Sequence, residues 1–246
     1  MLLIGHVFSS DSRIFSRLNR WASLFFSGVL VSGGLASGGL ASGAAFAADT
    51  PEKTPPPDTH FTPGEIFNWD AKIFEGTTQY RLVLEDGEQV LRANSQGTAS
   101  GLFYETEIDL NKTPYLSWRW KITQLPMLDN ELKKNGDDFA ARIYIVVNDG
   151  WTFLSTQAIS YVWSAKIPEG QQWPNPFTGK SAMMVSVRQQ AAGDTWYTEK
   201  RNLKADLKQL FGKDITTVKA VAVMTDTDNS KSSAEAFYGN LSFSAQ

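Results

Sequence analysis

The sequence predicts an all-β protein, an antiparallel β-sandwich of the jelly-roll type with one short α-helix at about residues 200–211. Short stretches of alternating apolar and polar residues recur between turn-forming residues over most of the chain. Eight or more such stretches with short connections are typical of two sheets packed face to face. Helical spacing of apolar residues appears in one place near the C-terminus, so a mainly helical fold is excluded.

The first 48 residues have the composition of a secretory signal peptide. Three arginines precede an apolar run at residues 21–31, and residues 45–47 supply a cleavage site of the small-x-small kind. Cleavage near Ala47 or Ala48 predicts a periplasmic or secreted protein with no transmembrane domain in the mature chain. A retained N-terminal anchor is the alternative.

Composition excludes several classes of function. Signal cleavage removes three arginines and Asp11, so 23 basic and 26 acidic residues become 20 and 25, a net charge of −5. Such a chain has no basic surface for nucleic acid, so we expect no nucleic-acid partner. The chain has no cysteine, and its two histidines, His6 and His60, precede the expected domain. A Ser-His-Asp triad, thiol chemistry and a histidine-ligated metal site are therefore excluded from the domain.

Residues 49–63 are expected to form a proline-rich leader, followed by a single β-sandwich domain at residues 64–246. Five prolines in the leader favour an extended, weakly structured segment. A surface segment is the simplest interpretation, and a spacer or a strand along the domain edge are alternatives.

The first hairpin is predicted at Tyr80–Leu84 and Glu88–Ala93, because these alternating stretches flank the turn signal Asp86-Gly87. Further strands are expected at residues 99–110, 115–122, 139–147, 158–163, 182–188, 221–225 and 236–243.

The helix is predicted from four apolar residues at helical spacing, followed by Gly212 as a stop signal. Its apolar face is expected to cover one end of the sandwich. These residues are Leu203, Leu207, Leu210 and Phe211.

Several separated segments together resemble a known family of bacterial proteins. They are Ser95–Leu102, Leu116–Lys121, Gly136–Arg142, Tyr161–Ser164, Arg201-Asn202, Phe211-Gly212, Met224–Asn229 and Tyr238-Gly239. They resemble the domain-of-unknown-function family 3047, a family of exported proteins with no established activity. The resemblance implies a sandwich similar to galactose-binding-like folds, which often host carbohydrate-binding modules.

An acidic loop between the last two strands offers oxygen ligands for a metal ion. Asp226, Asp228 and Asn229 lie close together in sequence, and side-chain oxygens of this kind suit calcium. The spacing is not that of an EF-hand, since Lys231 stands where that loop needs glycine. The alternatives are a solvated turn or carboxylates that pair with arginines.

Arginines inside otherwise apolar strands form a second group of candidates. Arg119, Arg142 and Arg188 each alternate with apolar neighbours and should leave the face that those neighbours occupy. A buried guanidinium needs carboxylate partners, so we expect an internal ion-pair network or a ligand site. The candidate acidic partners of Arg119 and Arg142 are Asp137, Asp138, Asp226 and Asp228.

Aromatic residues form the third group. Trp118 and Trp120 are expected in the core, whereas Tyr161 and Trp163 share a strand face and Trp196 lies near a turn. Flat rings beside hydrogen-bonding groups are typical of saccharide recognition. The candidate ligand-binding residues are Arg119, Arg142, Tyr161, Trp163, Asp137, Asp138 and Trp196.

These patterns favour a binding module for a saccharide or cell-envelope glycan. A structural or interaction domain without a small ligand is the first alternative. A carboxylate-dependent glycan enzyme is the second, because pairs such as Glu105 and Glu107 share a strand face.

Overall fold

The computed structural model describes residues 58–148 and 156–246. The predicted signal peptide and most of the predicted leader lie outside these residues. Within the described part, no helix is both long and apolar enough to cross a membrane.

Thirteen strands and two α-helices make up the described part of the chain. The N-terminal elements are β1 (Thr59–Phe61), α1 (Pro63–Phe67), β2 (Asp70–Glu75), β3 (Gln79–Glu85), β4 (Glu88–Gln96), β5 (Ala99–Asp109) and β6 (Tyr115–Gln124). They are followed by a 3₁₀ turn (Lys134–Gly136), β7 (Arg142–Asn148), β8 (Thr156–Ser164), β9 (Gln172–Asn175), β10 (Gly179–Gln189), β11 (Tyr197–Asn202), α2 (Leu203–Phe211), β12 (Thr217–Asp226) and β13 (Ser233–Ser244).

The strands form two sheets, which confirms the predicted all-β sandwich. Sheet A has the order β11-β6-β13-β4-β3, with β1 also paired to β13, and sheet B has the order β2-β5-β12-β7-β8-β10-β9. Neighbouring strands are antiparallel except β8 and β10, which are parallel. The chain leaves β8, forms the edge strand β9 beyond β10, and returns through a tight turn, so β10 enters the sheet in the same direction as β8.

The predicted first hairpin is confirmed, and its turn sets the register of the edge of sheet A. Asp86 and Gly87 both have positive φ angles, 51° and 83°, as a two-residue turn between twisted strands requires. The pairing of Glu85 with Glu88 then places Arg81 opposite Arg92.

An aromatic stack lies between the two sheets. Trp118 and Trp120 project inward from sheet A, and Tyr161 and Trp163 project inward from sheet B; all four side chains are buried. Trp118 stacks on Tyr161 with ring centroids 5.3 Å apart, and Trp120 meets Trp163 edge to face at 5.8 Å. The core role predicted for Trp118 and Trp120 is confirmed.

The helix α2 begins three residues later than predicted. Tyr197–Asn202 forms the edge strand β11 on β6, and the Asn202 side chain accepts a hydrogen bond from the Ala205 amide, which caps the helix. Gly212 ends the helix with a φ of 69°, as its place after the apolar spacing predicts.

The end of the predicted leader is structured. Thr59–Phe61 pairs with the C-terminal strand β13 at the registers of Phe243 to Leu241, and Phe61 packs edge to face on Trp69 at 5.2 Å. The edge-strand alternative therefore describes these residues, and the surface-segment interpretation is wrong for them. The alternation pattern also missed β2, β9 and β11, which are short or polar edge strands.

Candidate functional site

Arg142 is the centre of a buried ion-pair network at one end of sheet B. Only 2% of this residue is exposed, and its guanidinium forms a two-pronged contact with the Asp226 carboxylate, with Nε 2.7 Å from Oδ1. Nη2, which also contacts Asp226, donates to the Asp137 carbonyl, and Nη1 donates to the Asp137 carboxylate at 3.3 Å and to the Tyr144 hydroxyl at 3.2 Å. The predicted pairing of Arg142 with acidic side chains from turns is confirmed.

Asp138 organises the acidic loop from the opposite side. Its Oδ1 accepts hydrogen bonds from the Asn229 backbone amide at 3.1 Å and the Asn229 side-chain amide at 3.0 Å. Its Oδ2 accepts from the Ser230 amide at 2.6 Å. The two acidic segments that the sequence analysis singled out therefore come together, and they hold the loop after β12 against the start of β7.

The network carries more negative than positive charge. Burial raises the pKa of Asp137 to about 6 and raises that of Asp226 well above its usual range, although Arg142 opposes both shifts. Burial and the nearby Asp138 also raise the pKa of Asp228. Desolvation thus outweighs attraction to a single guanidinium at Asp137, Asp226 and Asp228.

The raised pKa of Asp137 predicts a pH-dependent stability. Between about pH 4 and pH 6 the folded protein holds a proton on this carboxyl group that the unfolded chain has lost, so the free energy of unfolding should fall as pH rises. A shift from 3.8 to about 6 corresponds to a loss of about 3 kcal/mol by neutral pH. Denaturant unfolding of the wild type at several pH values should show this slope, and Asp137→Asn should show a shallower one, because Asp226 and Asp228 still titrate with raised pKa values. Equal slopes for the two proteins would contradict the assignment.

The residues predicted to hold calcium, Asp226, Asp228 and Asn229, lie in or beside this network. Oxygens of Asp138, Asp226 and Asp228 lie within 4.8 Å of one another. Both Asp226 oxygens, however, face the Arg142 guanidinium, and both Asp138 oxygens accept N–H donors. Asn229 directs its amide nitrogen toward Asp138, where calcium would require oxygen. The arrangement fits a hydrogen-bonded ion-pair network better than a calcium shell.

Calcium removal is therefore expected to leave stability unchanged. Thermal melts of the same protein sample in excess calcium and in excess chelator should superimpose, because N–H donors already satisfy the carboxylates. A melting temperature that rises with calcium concentration would restore the metal site, since a ligand that binds only the folded state stabilises it.

Arg119 does not join this network, so its predicted pairing with the aspartates is wrong. It projects from β6 in sheet A, whereas Arg142 lies on β7 in sheet B. The Arg119 Nη1 atom lies 2.7 Å from Glu88 Oε2, and its guanidinium lies 4.4 Å from the ring centre of Trp196. Arg188 pairs with Glu199 instead.

Tyr161 and Trp163 also fall outside any accessible site. Their exposed fractions are 0% and 1%, the Tyr161 hydroxyl donates to Asp206 at 2.6 Å, and the Trp163 ring nitrogen donates to the Gln190 carbonyl at 2.8 Å. Buried rings are not accessible to a saccharide, so the predicted ligand role of these two residues is replaced by a core role.

Aromatic and basic side chains form a line across the outer face of sheet A, in which Phe237 and Lys121 are buried. Arg81 lies opposite Arg92, Arg92 opposite Phe237, and Phe237 opposite Lys121. The Lys121 ammonium lies 4.7 Å from the centre of the Phe237 ring and 5.5 Å from that of the half-buried Trp196 ring. We refer to Arg81, Arg92, Phe237, Lys121 and Trp196 as the outer-face row.

A groove of about 230 Å³ opens where the outer-face row reaches β3 and β4. Of the residues that line it, Arg92 donates through Nε to Glu235 Oε2 on β13 at 2.8 Å, and Thr123 donates to Glu235 Oε1 at 2.8 Å. Burial opposes ionisation of Glu235, but these hydrogen bonds outweigh it and lower its pKa. Every side chain that lines the groove is polar: Gln79, Arg81, Arg92, Asn94 and Gln96.

The carboxylate pair considered for a glycan enzyme lies elsewhere. Glu105 and Glu107 are exposed on β5, and Glu107 pairs with Lys219 at 2.8 Å. Neither lines the groove on sheet A. A glycosidase requires two carboxyl groups that face each other across a bound sugar, and this pair does not have that arrangement.

A family comparison covers most of the described chain. The model of a protein family of unknown function, DUF3047, matches residues 67–242. The chain belongs to the DUF3047 family. No curated protein sequence matches this DUF3047 chain at a significant level.

Several solved structures are similar to the DUF3047 chain at low identity. The family 30 carbohydrate-binding module of a cellulosomal cellulase from Clostridium thermocellum is 11% identical with a TM-score of 0.47, over 77% of this chain and 98% of that chain. A cellulase derived from Cel12A of Rhodothermus marinus is 8% identical with a TM-score of 0.40, over 75% and 99%. The glycoside hydrolase domain of Endo-D from Streptococcus pneumoniae R6 is 12% identical with a TM-score of 0.38, over 72% of this chain and only 22% of that chain. Likeness at this level assigns no ligand to the DUF3047 chain.

The candidate ligand residues of the sequence analysis thus occupy three separate places in the DUF3047 domain. Arg119 and Trp196 lie on the outer face of sheet A, Tyr161 and Trp163 lie in the core, and the remainder form the Arg142 network. The polar residues of the groove were missed. Their signal was present in the hairpin register, which places Arg81 beside Arg92 and Gln79 beside Asn94.

Proposed function

We propose that this DUF3047 protein is an exported saccharide-binding module whose ligand, a cell-envelope glycan, lies on the outer face of sheet A. The observation that carries the proposal is the groove beside the outer-face row, because amide and guanidinium groups form its whole lining. Sugar hydroxyls both donate and accept hydrogen bonds, and Asn and Gln side chains do the same. The predicted signal peptide supports export to the compartment where such glycans occur.

Trp196 adds an apolar surface to these polar groups. Its ring is half-buried and rests against the guanidinium of Arg119, so a sheet side chain fixes its orientation. Aromatic rings supply apolar contact area at low cost in conformational entropy. A saccharide that crosses the strands from the groove toward β6 would meet hydrogen-bonding groups first and this ring last.

A structural domain without a small ligand is the second candidate. It is favoured by the complete pairing of Arg142, whose nitrogens all contact the Asp226, Asp137 and Tyr144 oxygens. A ligand could bind Arg142 only by breaking these contacts, so we assign the Arg142 network to the stability of the fold under both candidate functions. Whether the groove on sheet A binds a ligand distinguishes the two functions.

Binding to a panel of glycans and to peptidoglycan tests the proposed function. We expect the wild type to bind at least one member of the panel, and Asn94→Ala and Trp196→Ala to weaken that binding about tenfold each, as loss of a hydrogen bond or a ring contact should. Gln209→Ala, on the exposed face of α2, is the control and should bind like the wild type. Absence of binding across the panel by a folded wild type would favour the structural alternative.

A further inference from the structure

We infer that the groove on sheet A selects a saccharide that carries a carboxylate, with Arg81 as the residue that binds the acid group. This inference rests on the proposed function, because it names the class of sugar for the same groove.

Two arginines face each other directly in the groove. Arg81 on β3 is the register partner of Arg92 on β4, so both side chains leave the same face of the sheet. Like charges in this arrangement repel each other and destabilise a strand pair unless an anion lies between them. The hairpin therefore carries a local charge conflict that a bound anion would relieve.

Glu235, the acid on β13 that contacts the groove residues Arg92 and Asn94, is already engaged. Arg92 donates to it through Nε and Nη2, Thr123 donates to its other oxygen, and Asn94 donates at 3.3 Å. Its side chain is only 17% exposed. Glu235 thus neutralises Arg92 and has little capacity for a second guanidinium.

Arg81 has no acidic partner among the described residues. Its one hydrogen bond there is a long one, 3.5 Å from Nη2 to the Gln79 side-chain oxygen, and the residue is exposed. The charges of Arg81, Arg92 and Glu235 sum to +1, although the whole chain has a formal charge of −3. A positive excess in a lined groove on an acidic protein points to an anionic ligand.

The geometry of the guanidinium narrows the kind of anion. Arginine binds planar carboxylates through two parallel N–H donors. The neighbouring amides of Gln79, Asn94 and Gln96 are suited to hydroxyl groups rather than to further charge. One acid group surrounded by hydroxyls is the chemistry of a uronic acid within a saccharide.

Matched acidic and neutral oligosaccharides test the inference by calorimetry. The probes are oligogalacturonate, oligomannuronate and a glucuronate-containing oligosaccharide, each beside its carboxyl-reduced counterpart, together with neutral glucan and sulfated dextran. We expect at least one uronate to bind about tenfold more tightly than its reduced form, with binding that weakens as salt is raised. Arg81→Gln should remove this preference, and Lys180→Gln, an exposed lysine on sheet B, should keep it.

The outcomes separate the inference from the proposed function. Equal binding of uronates and their reduced forms would overturn the carboxylate inference and leave saccharide binding intact. Equal binding of sulfated dextran would replace it with a general preference for anions. No binding of any saccharide by folded protein would overturn both. A preference that survives Arg81→Gln would show that Arg81 does not bind the acid.

Discussion

Replacing Arg142 with methionine is expected to lower the free energy of unfolding by about 3 to 5 kcal/mol. Methionine preserves much of the apolar volume but removes the charge that faces Asp226 and Asp137, both of which are buried. Two carboxyl groups would then remain in the interior without a cation and would have to take up protons or draw in water. Denaturant unfolding at neutral pH measures the loss.

The same substitution at Arg119 provides a matched control. Arg119 also belongs to a strand and forms an ion pair, but its side chain is 37% exposed and its partner Glu88 is 62% exposed. Pairs at the surface contribute only about 0 to 1 kcal/mol. If Arg119→Met and Arg142→Met lowered the free energy of unfolding by the same amount, the structural role that we assign to the buried network would be wrong.

Trp163→Ala is also expected to lower the free energy of unfolding by about 3 to 5 kcal/mol. The ring packs against Trp120 and, at 5.3 Å, against Tyr197, so alanine would leave a cavity between the two sheets. It would also leave the Gln190 carbonyl without its ring N–H donor. Trp163→Phe retains most of the volume and should lose distinctly less stability.

The contrast between Trp163 and Trp196 tests the division of roles between core and surface. Trp163→Phe should bind glycans like the wild type, whereas Trp196→Ala should remain nearly as stable as the wild type and bind glycans about tenfold more weakly. If Trp163→Phe abolished binding while the protein stayed folded, the ring would have to be assigned to the ligand surface again.

Much of the sandwich could be predicted because local patterns determine strands and turns. Asp86-Gly87 specifies a two-residue turn by its tolerance of positive φ. The pairing of Arg142 was also predictable, since a guanidinium within an apolar strand must meet carboxylates and the acidic turns were the nearby source. In both cases few other residues of the chain could form the interaction: the turn needs residues that tolerate positive φ, and the buried guanidinium needs carboxylates.

Other assignments failed because alternation gives the side of a strand but not the sheet to which the strand belongs. Arg119 and Arg142 have similar sequence surroundings, yet β6 and β7 lie in different sheets. Tyr161 and Trp163 alternate with Val162, which is also buried, so no polar face marked the outside of β8. The edge strands β2 and β11 were missed because they carry exposed or polar residues at most positions.

The groove could be predicted from the sequence only in part. Its cross-strand arginine pair follows arithmetically from the turn at Asp86-Gly87, because one two-residue turn determines every pairing along the hairpin. The sequence does not show that β13 is the strand that pairs with β4 on its other side. Glu235 lies more than 140 residues from Arg92, and no local pattern links them.

The position of β13 has a consequence for how the protein is made. This strand lies between β6 and β4 in sheet A and also pairs with β1. During synthesis the hairpin β3–β4 and the pair β6–β11 must wait, unjoined, until residues 233–244 have left the ribosome. Long-range closure of this kind is slow, and unpaired strand edges invite aggregation in the interval.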